Sequence, residues 1–223
     1  MSIYEVTRMA DEAALSRPVG AVLHSGLLYD LSLGLRFFGR ERAFREKLLA
    51  LAHLVPGETV LDVGCGTGTL AILARRHVGA SGAVYGIDAS GQMIARAKAK
   101  ARRADIEVEF QTTPAQALPF PDASFDVLLA TLMLHHLSRN GRRELAGEMR
   151  RVVNADGRVL VVDFETSTRK SRGLAARIHR GHGSVGLREV IALLGAAGLR
   201  VTESGTVGTK NLHFALAKLP QSA

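Results

Sequence analysis

Tryptophan is absent from this chain of 223 residues, which also holds only three tyrosines and one cysteine. So few large aromatic rings leave little surface on which nucleic-acid bases can stack. The single cysteine, Cys65, has no partner for an internal disulfide, which is typical of a protein from a reducing compartment. Because it stands between two loop glycines, we expect Cys65 to fill space rather than to act as a nucleophile.

Long apolar runs are absent as well. No stretch approaches the roughly 20 apolar residues of a membrane-spanning helix, and residues 1–20 lack the continuous apolar core of a signal peptide. We therefore expect a cytoplasmic protein.

The charge is unbalanced, with 29 Lys and Arg against 21 Asp and Glu and a formal net charge of +8. A positive field favours anionic partners, whether a phospholipid surface, a nucleic acid or an acidic substrate. Residues 166–188 carry six basic residues and two histidines without an acid. This segment either grips an anionic group or forms a solvated loop.

Residues 59–68 contain the pattern on which the prediction depends. A short apolar run over 59–63 predicts a buried strand. Three glycines follow at alternate positions, Gly64, Gly66 and Gly68, and a helical pattern then starts at Leu70. Glycines accept positive φ and leave no Cβ, so a ligand can lie against the backbone beneath the free N–H groups of the helix. The sequence therefore predicts a nucleotide-type site.

Acids accompany two neighbouring predicted strands. Asp62 lies at the end of the first, where it can receive the charged amino group of an amino-acid-like ligand. Asp88 closes the next apolar run, where a carboxylate suits the paired hydroxyls of a ribose. The predicted ligand thus has an amino-acid end and a nucleoside end. The third glycine comes one position earlier than in the dinucleotide fingerprint, which disfavours a nicotinamide oxidoreductase.

Strand and helix patterns alternate along the rest of the chain. Strands are predicted near 59–64, 83–87, 106–110, 125–130 and 158–163, with helices between them, which indicates a parallel sheet covered on both faces. Two further strands, 199–204 and 212–219, are joined by a link too short for a parallel crossover, which predicts an antiparallel hairpin. Amphipathic stretches at 21–38 and 41–54 predict helices that precede the sheet.

Several motifs between residues 29 and 164 carry a family resemblance. They are Val60-Leu61-Asp62-Val63-Gly64-Cys65-Gly66-Thr67-Gly68, Gly86-Ile87-Asp88-Ala89-Ser90 with Met93, Leu118-Pro119-Phe120-Pro121-Asp122 before Ser124-Phe125-Asp126, and Arg151-Val152-Val153 before Gly157-Arg158. In these motifs the chain resembles the class I S-adenosylmethionine-dependent methyltransferases. It is most similar to the branch of ubiquinone/menaquinone biosynthesis methyltransferases.

The resemblance implies an α/β fold and a cofactor. The fold is a doubly wound, Rossmann-like sheet of seven strands, mostly parallel, with a C-terminal antiparallel hairpin and an N-terminal helical cap. We place the cap at 1–55 and the methyltransferase core at 56–223, within one structural domain. The implied cofactor is S-adenosyl-L-methionine, with S-adenosyl-L-homocysteine as product.

Cofactor contacts are implied along the same motifs. They are Tyr29, Asp62, Gly64, Cys65, Gly66, Gly68, Asp88, Ala89, Met93, Ala115, Gln116 and Thr131. Two of these have an alternative: Met93 either covers the adenine or is a plain core residue, and Tyr29 either touches ligand or packs on the core. Pro114 stands where the family has an aspartate, so the adenine amino contact is either missing or supplied by Gln116 or a backbone carbonyl.

The predicted strand over 125–130 leads into His135 and His136, which are the general-base candidates because ligands lie at the ends of parallel strands. A structural histidine bonded to backbone is the alternative. Tyr29 is a third catalytic candidate. The spacing resembles no metal site, and methyl transfer from a sulfonium requires no metal.

We therefore predict methyl transfer, by in-line displacement, to a small-molecule acceptor that is quinone-like, a lipid or a secondary metabolite. A phospholipid head-group N-methyltransferase, a nucleic-acid methyltransferase and a non-catalytic adenosylmethionine-binding module remain open. Residues 129–132 lack the Asn/Asp-Pro-Pro-aromatic motif of base-amino methylators, so we expect no specific nucleic-acid partner. Peripheral contact with an anionic membrane and a monomer or homodimer are also expected.

Overall fold

The structure, a computed structural model, describes residues 41–165, 185–208 and 211–220. Within that part, none of the helices is both long and apolar enough to cross a membrane. The elements in chain order are α1 (Glu41–Leu51), β1 (Thr59–Val63), α2 (Thr69–Val78), β2 (Ala83–Asp88), α3 (Gly91–Arg103), β3 (Glu109–Thr112), β4 (Phe125–Thr131), a 3-10 turn (Leu134–His136), α4 (Arg139–Val152), β5 (Val153–Phe164), α5 (Leu187–Ala196), β6 (Arg200–Thr206) and β7 (Leu212–Lys218).

All seven strands form one sheet in the order β3-β2-β1-β4-β5-β7-β6. Strands β1 to β5 run parallel to one another, whereas β7 is antiparallel to both β5 and β6. The predicted doubly wound α/β fold with a final antiparallel hairpin is therefore confirmed. The hairpin folds back so that β7, which is almost entirely buried, lies inside the sheet, and the polar, largely exposed β6 forms its edge.

Apolar side chains cover both faces of the sheet. Strand β1 divides its residues between them: Val60 packs in the cluster with α1, α2 and α3, and Leu61 and Val63 pack in the cluster with α4 and α5. Strands buried on both faces need continuous apolar sequence, which explains the run of β-branched and leucine residues in β1, β4 and β5. The core thus fixes the carboxyl ends of the parallel strands side by side at one end of the sheet.

The third strand lies further along the chain than the predicted 106–110. Helix α3 ends in a Schellman motif, in which Asp105 adopts a left-handed φ of 51°. The N–H of Ile106 donates to the carbonyl of Ala101, 3.0 Å away, and the N–H of Asp105 donates to that of Arg102, 3.2 Å away. Ile106 therefore closes the helix instead of starting the strand, and β3 begins at Glu109.

The N-terminal cap is described only from Glu41 onward, so the helix predicted over 21–38 lies outside the described residues. Helix α1 confirms the second predicted stretch, and its Phe44, Leu48 and Leu49 are buried in the core cluster. The division of the chain at residue 55 stays a prediction.

Arg158, at the start of the parallel part of β5, fastens the end of α1 to the sheet. Its guanidinium donates to the carbonyls of Ala52 and His53 and forms a two-pronged ion pair with Glu58, at 2.6 and 2.9 Å. The two charged side chains are only 10% and 13% exposed. One buried cation therefore satisfies carbonyls that the end of α1 leaves open.

Replacing Arg158 by methionine should destabilise the protein strongly, because the largely buried carboxylate of Glu58 loses its counter-charge and the carbonyl of the buried Ala52 loses its donor. Loss of one member of a buried pair costs about 3–5 kcal/mol of unfolding free energy, which urea denaturation measures. Arg42→Met is the matched control, since Arg42 is 80% exposed and lies 3.6 Å from Glu46. It should cost less than about 1 kcal/mol. Equal, small losses in both variants would contradict the assignment.

Candidate active site

The glycine loop between β1 and α2 has the left-handed backbone that its sequence predicts. Gly64, Gly66 and Gly68 have φ values of 70°, 54° and 74°. A Cβ on Gly64 would lie 2.8 Å from Cβ of Met133, and one on Gly68 would lie 2.6 Å from Cζ of Phe110. At these two positions the protein's own side chains already require glycine. The loop shape is therefore set by packing beneath it before any ligand approaches.

Asp88, at the end of β2, ties this loop to the next helix. Its Oδ2 accepts from the N–H of Gly66 at 2.9 Å, and its Oδ1 accepts from the N–H of Ser90 at 2.8 Å. Burial raises the pKa of Asp88, and the two N–H donors oppose that rise. A carboxylate has about four acceptor sites, so two remain for the hydroxyls of a ribose. Ala89 lies directly beside this carboxylate, between Asp88 and Ser90.

Asp62 is the buried acid of the site. It lies in the interior strand β1 and is 1% exposed, and no donor lies within full hydrogen-bond distance of either carboxylate oxygen, although the backbone N–H of Ala71 is near enough to lower its pKa. Burial raises its pKa to about 7, the charge of Arg45 opposes the rise, and the charge of Asp88 adds to it. A buried polar group without a partner is costly, so this carboxylate has unused capacity for a cationic ligand.

An open pocket connects Asp62 with the glycine loop. Its lining residues are Glu41, Phe44, Arg45, Leu48, Asp62, Gly64, Cys65, Thr67, Leu70, Thr131 and Leu132. Of the predicted cofactor contacts, the structure thus gathers Asp62, Gly64, Cys65 and Thr131 around one cavity. Burial raises the pKa of the Cys65 thiol well above its usual range, and the charges of Asp62 and Asp88 add to the effect. The thiol stays protonated, which makes it a poor nucleophile.

Met93 and the segment after β3 are both hydrogen-bonded to the stretch from Asp88 to Ser90. Ser90 caps α3 by accepting from the N–H of Met93, whose side chain is 4% exposed and packed in the fold. The N–H of Thr113 donates to the carbonyl of Asp88 at 3.0 Å, which fixes the following turn beside that carboxylate. In the turn, Ala115 is buried and Gln116 is half-buried.

Arg151, on the last turn of α4, binds the loop that follows β3. Its guanidinium donates to the carbonyls of Leu118 and Phe120 and pairs with Glu148, which also accepts from the N–H of Leu118 at 2.7 Å. The hydrogen bond with Arg151 lowers the pKa of Glu148. The motif residue Arg151 therefore positions the loop that follows β3.

The two histidines follow a strained turn at the end of β4. Leu132 has a φ of 57°, unusual for a residue other than glycine, and its N–H donates to the carbonyl of Val162. This bend leads the chain into the 3-10 turn and brings His135 over the end of β5. Backbone strain of this kind costs on the order of 1–3 kcal/mol and persists where the surrounding structure enforces it.

His135 and Asp163 form a hydrogen-bonded pair at this edge. Nδ1 of His135 lies 2.7 Å from Oδ1 of Asp163, and the backbone N–H of His135 donates to Oδ2 at 3.2 Å. Asp163 is fully buried, whereas the His135 side chain is 13% exposed. The carboxylate holds the tautomer in which Nδ1 carries the proton and Nε2 is an acceptor. The ring of His136 lies beside that of His135, with centroids 4.0 Å apart and planes tilted by 43°, and the backbone N–H of His136 donates to the carbonyl of Met133.

Tyr29 and most of the basic segment 166–188 lie outside the described residues. Sequence reasoning missed Arg45, which lines the pocket, Asp163, and His213, which lies opposite Asp163 in the register of β5 and β7. Asp163 follows an apolar run near the end of its strand, as Asp88 does, so the same rule would have found it, whereas Arg45 and His213 carry no local signal. No group of three His, Cys, Asp or Glu side chains among residues 41–165, 185–208 and 211–220 is arranged to hold a metal ion.

Comparison with known proteins places this geometry in context. A family described as "Methyltransferase domain" matches residues 60–157. The demethylmenaquinone methyltransferase of Thermus thermophilus is 33% identical over 152 residues, which are 68% of this chain and 67% of that protein. The ubiquinone/menaquinone biosynthesis C-methyltransferase UbiE of Ralstonia pickettii is 32% identical over 158 residues, 70% of this chain and 64% of that protein. The chain thus spans about two thirds of the length of these relatives.

A solved structure agrees over more of the chain. The S-adenosylmethionine-dependent methyltransferase from Aquifex aeolicus superposes with a TM-score of 0.69 at 27% identity, covering 84% of this chain and 96% of that one. The overall fold is therefore shared with a protein that is named as an S-adenosylmethionine-dependent methyltransferase.

Asp62→Asn should stabilise the ligand-free protein above neutral pH. An unfolded aspartate ionises near pH 3.9, whereas folded Asp62 keeps its proton up to about 7. Between these values the unfolded chain binds fewer protons, so wild-type stability falls as pH rises and the loss is complete above about pH 7. The variant should gain up to about 4 kcal/mol at pH 8, at about 1.4 kcal/mol per pKa unit, and little at pH 4.

Urea denaturation at several pH values measures this difference. Asp156→Asn, which changes an exposed carboxylate, is the matched control and should leave the wild-type curve unchanged. A pH-independent effect of Asp62→Asn would mean that Asp62 is ionised throughout this range.

Proposed function

The chain belongs to the class I S-adenosylmethionine-dependent methyltransferases, and from this premise we propose that it methylates a ring carbon of a quinone-type small molecule. Its cofactor is S-adenosyl-L-methionine. The curated relatives act, by their names, on demethylmenaquinone or in ubiquinone and menaquinone biosynthesis as C-methyltransferases. Action in the cytoplasm, on a small molecule that a membrane can hold, is part of the proposal.

The observation that carries the cofactor assignment is the unsatisfied carboxylate of Asp62 beside the glycine loop. In the proposed site this carboxylate binds the ammonium group of the amino-acid end, and the glycine loop lies along the ligand. Asp88 keeps acceptor sites for the ribose, and the loop held by Arg151 borders the adenine. The residues present therefore fit a ligand with an amino-acid end and a nucleoside end.

The proposed base is His135, which Asp163 orients. In a reduced, quinol-type acceptor, loss of a hydroxyl proton makes the neighbouring ring carbon nucleophilic. Nε2 of His135 would accept the hydroxyl proton. The cofactor, held by Asp62, Asp88 and the glycine loop, would supply the methyl group to the ring carbon and leave as a neutral thioether. The ring carbon then loses its own hydrogen to the solvent as a proton, which restores the aromatic ring as a phenolate, and His135 returns its proton to that oxygen. Asp163 stabilises the imidazolium that forms, and the site otherwise acts by alignment of the two reactants.

The experiment that tests the function combines binding with turnover. Calorimetric titration of cofactor-stripped protein with S-adenosyl-L-methionine, S-adenosyl-L-homocysteine and NAD should show micromolar binding of the first two and none of the third. Methyl transfer is then assayed on reduced quinones, anionic phospholipids and oligonucleotides. Turnover with quinols alone supports the proposal. Turnover with lipid or nucleic acid would replace the acceptor, and binding without turnover would indicate a binding module.

Removal of the proposed base should lower turnover without affecting the cofactor. His135→Asn should reduce kcat by about 100- to 10,000-fold, the usual contribution of a general base, and leave adenosylmethionine affinity unchanged. Asp163→Asn should also lower kcat, because an amide donor favours the other tautomer of His135. Nitrogen NMR of labelled protein should show that tautomer change directly.

His136→Asn is the matched control for the base. It removes the ring that lies beside His135 and should have a much smaller effect on kcat, on the order of tenfold or less. A larger loss in His136→Asn than in His135→Asn would assign the base to His136 instead.

A further inference from the structure

One side of helix α1 lines the proposed cofactor pocket with two charged and two apolar residues. Glu41, Phe44, Arg45 and Leu48 all line it, at the three- and four-residue spacing of one helical face. Phe44 and Leu48 are buried in the core cluster, which fixes the rotation of the helix about its axis. The guanidinium of Arg45 is therefore held at the wall of the cavity that contains Asp62.

Arg45 is held in place by Glu41, but this pair uses only some of the N–H donors of its guanidinium. Its side chain is 13% exposed, and Nε and Nη2 donate to the same oxygen, Oε1 of Glu41, at 3.1 and 2.8 Å. A guanidinium has five N–H donors in one plane, and it binds a carboxylate best through two parallel bonds to both oxygens. The pair with Glu41 thus positions the fork while leaving N–H groups for a second carboxylate.

Arg45 and Asp62 line the same pocket and interact electrostatically. The positive charge of Arg45 lowers the pKa of Asp62, against the larger effect of burial. The ammonium and carboxylate groups of an α-amino acid are attached to one carbon atom, so their protein partners must be neighbours of opposite sign. Asp62 and Arg45 meet this condition on two walls of the same pocket.

We propose that Arg45 binds the carboxylate of the methionine moiety while Asp62 binds its ammonium group, so that α1 and β1 together recognise the amino-acid end. This inference rests on the proposed cofactor site and adds a residue from outside its motifs. Glu41 keeps the guanidinium in place when the ligand is absent. The site then selects ligands that carry both charges on one carbon.

Calorimetry with two ligands tests the proposal. S-adenosyl-L-methionine is compared with decarboxylated S-adenosylmethionine, which keeps the amine and the sulfonium but has no carboxylate. The wild type should bind the complete cofactor about ten- to a hundredfold more tightly, the range expected for charged hydrogen bonds. Arg45→Met should lose that preference and retain its affinity for the decarboxylated ligand within about threefold. Arg45→Lys should fall between the two, because it keeps the charge without the fork.

Arg42→Met is the control, because Arg42 lies on the same helix with its side chain 80% exposed. It should leave both affinities unchanged. Equal affinity of the wild type for the two ligands would overturn the role of Arg45, whatever the variants do. An equal loss for both ligands in Arg45→Met would assign it a structural role. If the wild type binds neither ligand, the cofactor site itself fails, an outcome distinct from failure at Arg45.

Discussion

The carboxylate of Asp62 is a group that the described fold does not satisfy by itself. It is carried by β1, an interior strand of the sheet, where β2 and β4 occupy both sides and apolar residues cover both faces. The side chain is therefore 1% exposed and faces only the pocket beside the glycine loop. The folded protein instead holds it protonated up to about pH 7, at a cost in stability. A cationic ligand that supplies the missing partner recovers this free energy on binding, so the cost of the empty state favours the occupied one.

Asp88 shows the opposite arrangement at the neighbouring strand end. Backbone N–H groups of Gly66 and Ser90 already occupy two of its acceptor positions, and the carboxylate joins the glycine loop to α3. It is part of the scaffold before a ligand arrives. The same residue type at the same edge thus serves two purposes: Asp88 preorganises the loop, and Asp62 depends on the ligand for a partner.

Patterns within the sequence predict most of this architecture. The apolar runs ending in Asp62 and Asp88 locate two parallel strands and the edge at which a ligand lies, because periodicity and strand ends are local signals. The start of β3 was predicted too early because Ile106 was assigned to the strand. In the structure, the N–H of Ile106 is part of the hydrogen-bonded end of α3. The left-handed conformation of the loop glycines was predicted correctly. The second reason for glycine was not predictable, because the side chains of Met133 and Phe110, which leave no room for a Cβ at Gly64 and Gly68, come from distant segments. Arg45 is one basic residue of an amphipathic helix, and only tertiary packing brings it to the pocket.

The antiparallel strand β7 brings a further titratable group to the same edge. A strand that runs against its neighbours begins where they end, so the first residues of β7 lie beside the last residues of β5, with His213 opposite Asp163. His213 is 1% exposed, and its Nδ1 lies 3.4 Å from Oε2 of Glu165 without forming a hydrogen bond. Burial lowers the pKa of His213, although the charges of Glu165 and Asp163 oppose this. His213 therefore stays neutral near physiological pH and adds no positive charge beside Asp163. The negative charge of Asp163 therefore acts mainly on His135, whose ring is hydrogen-bonded to it.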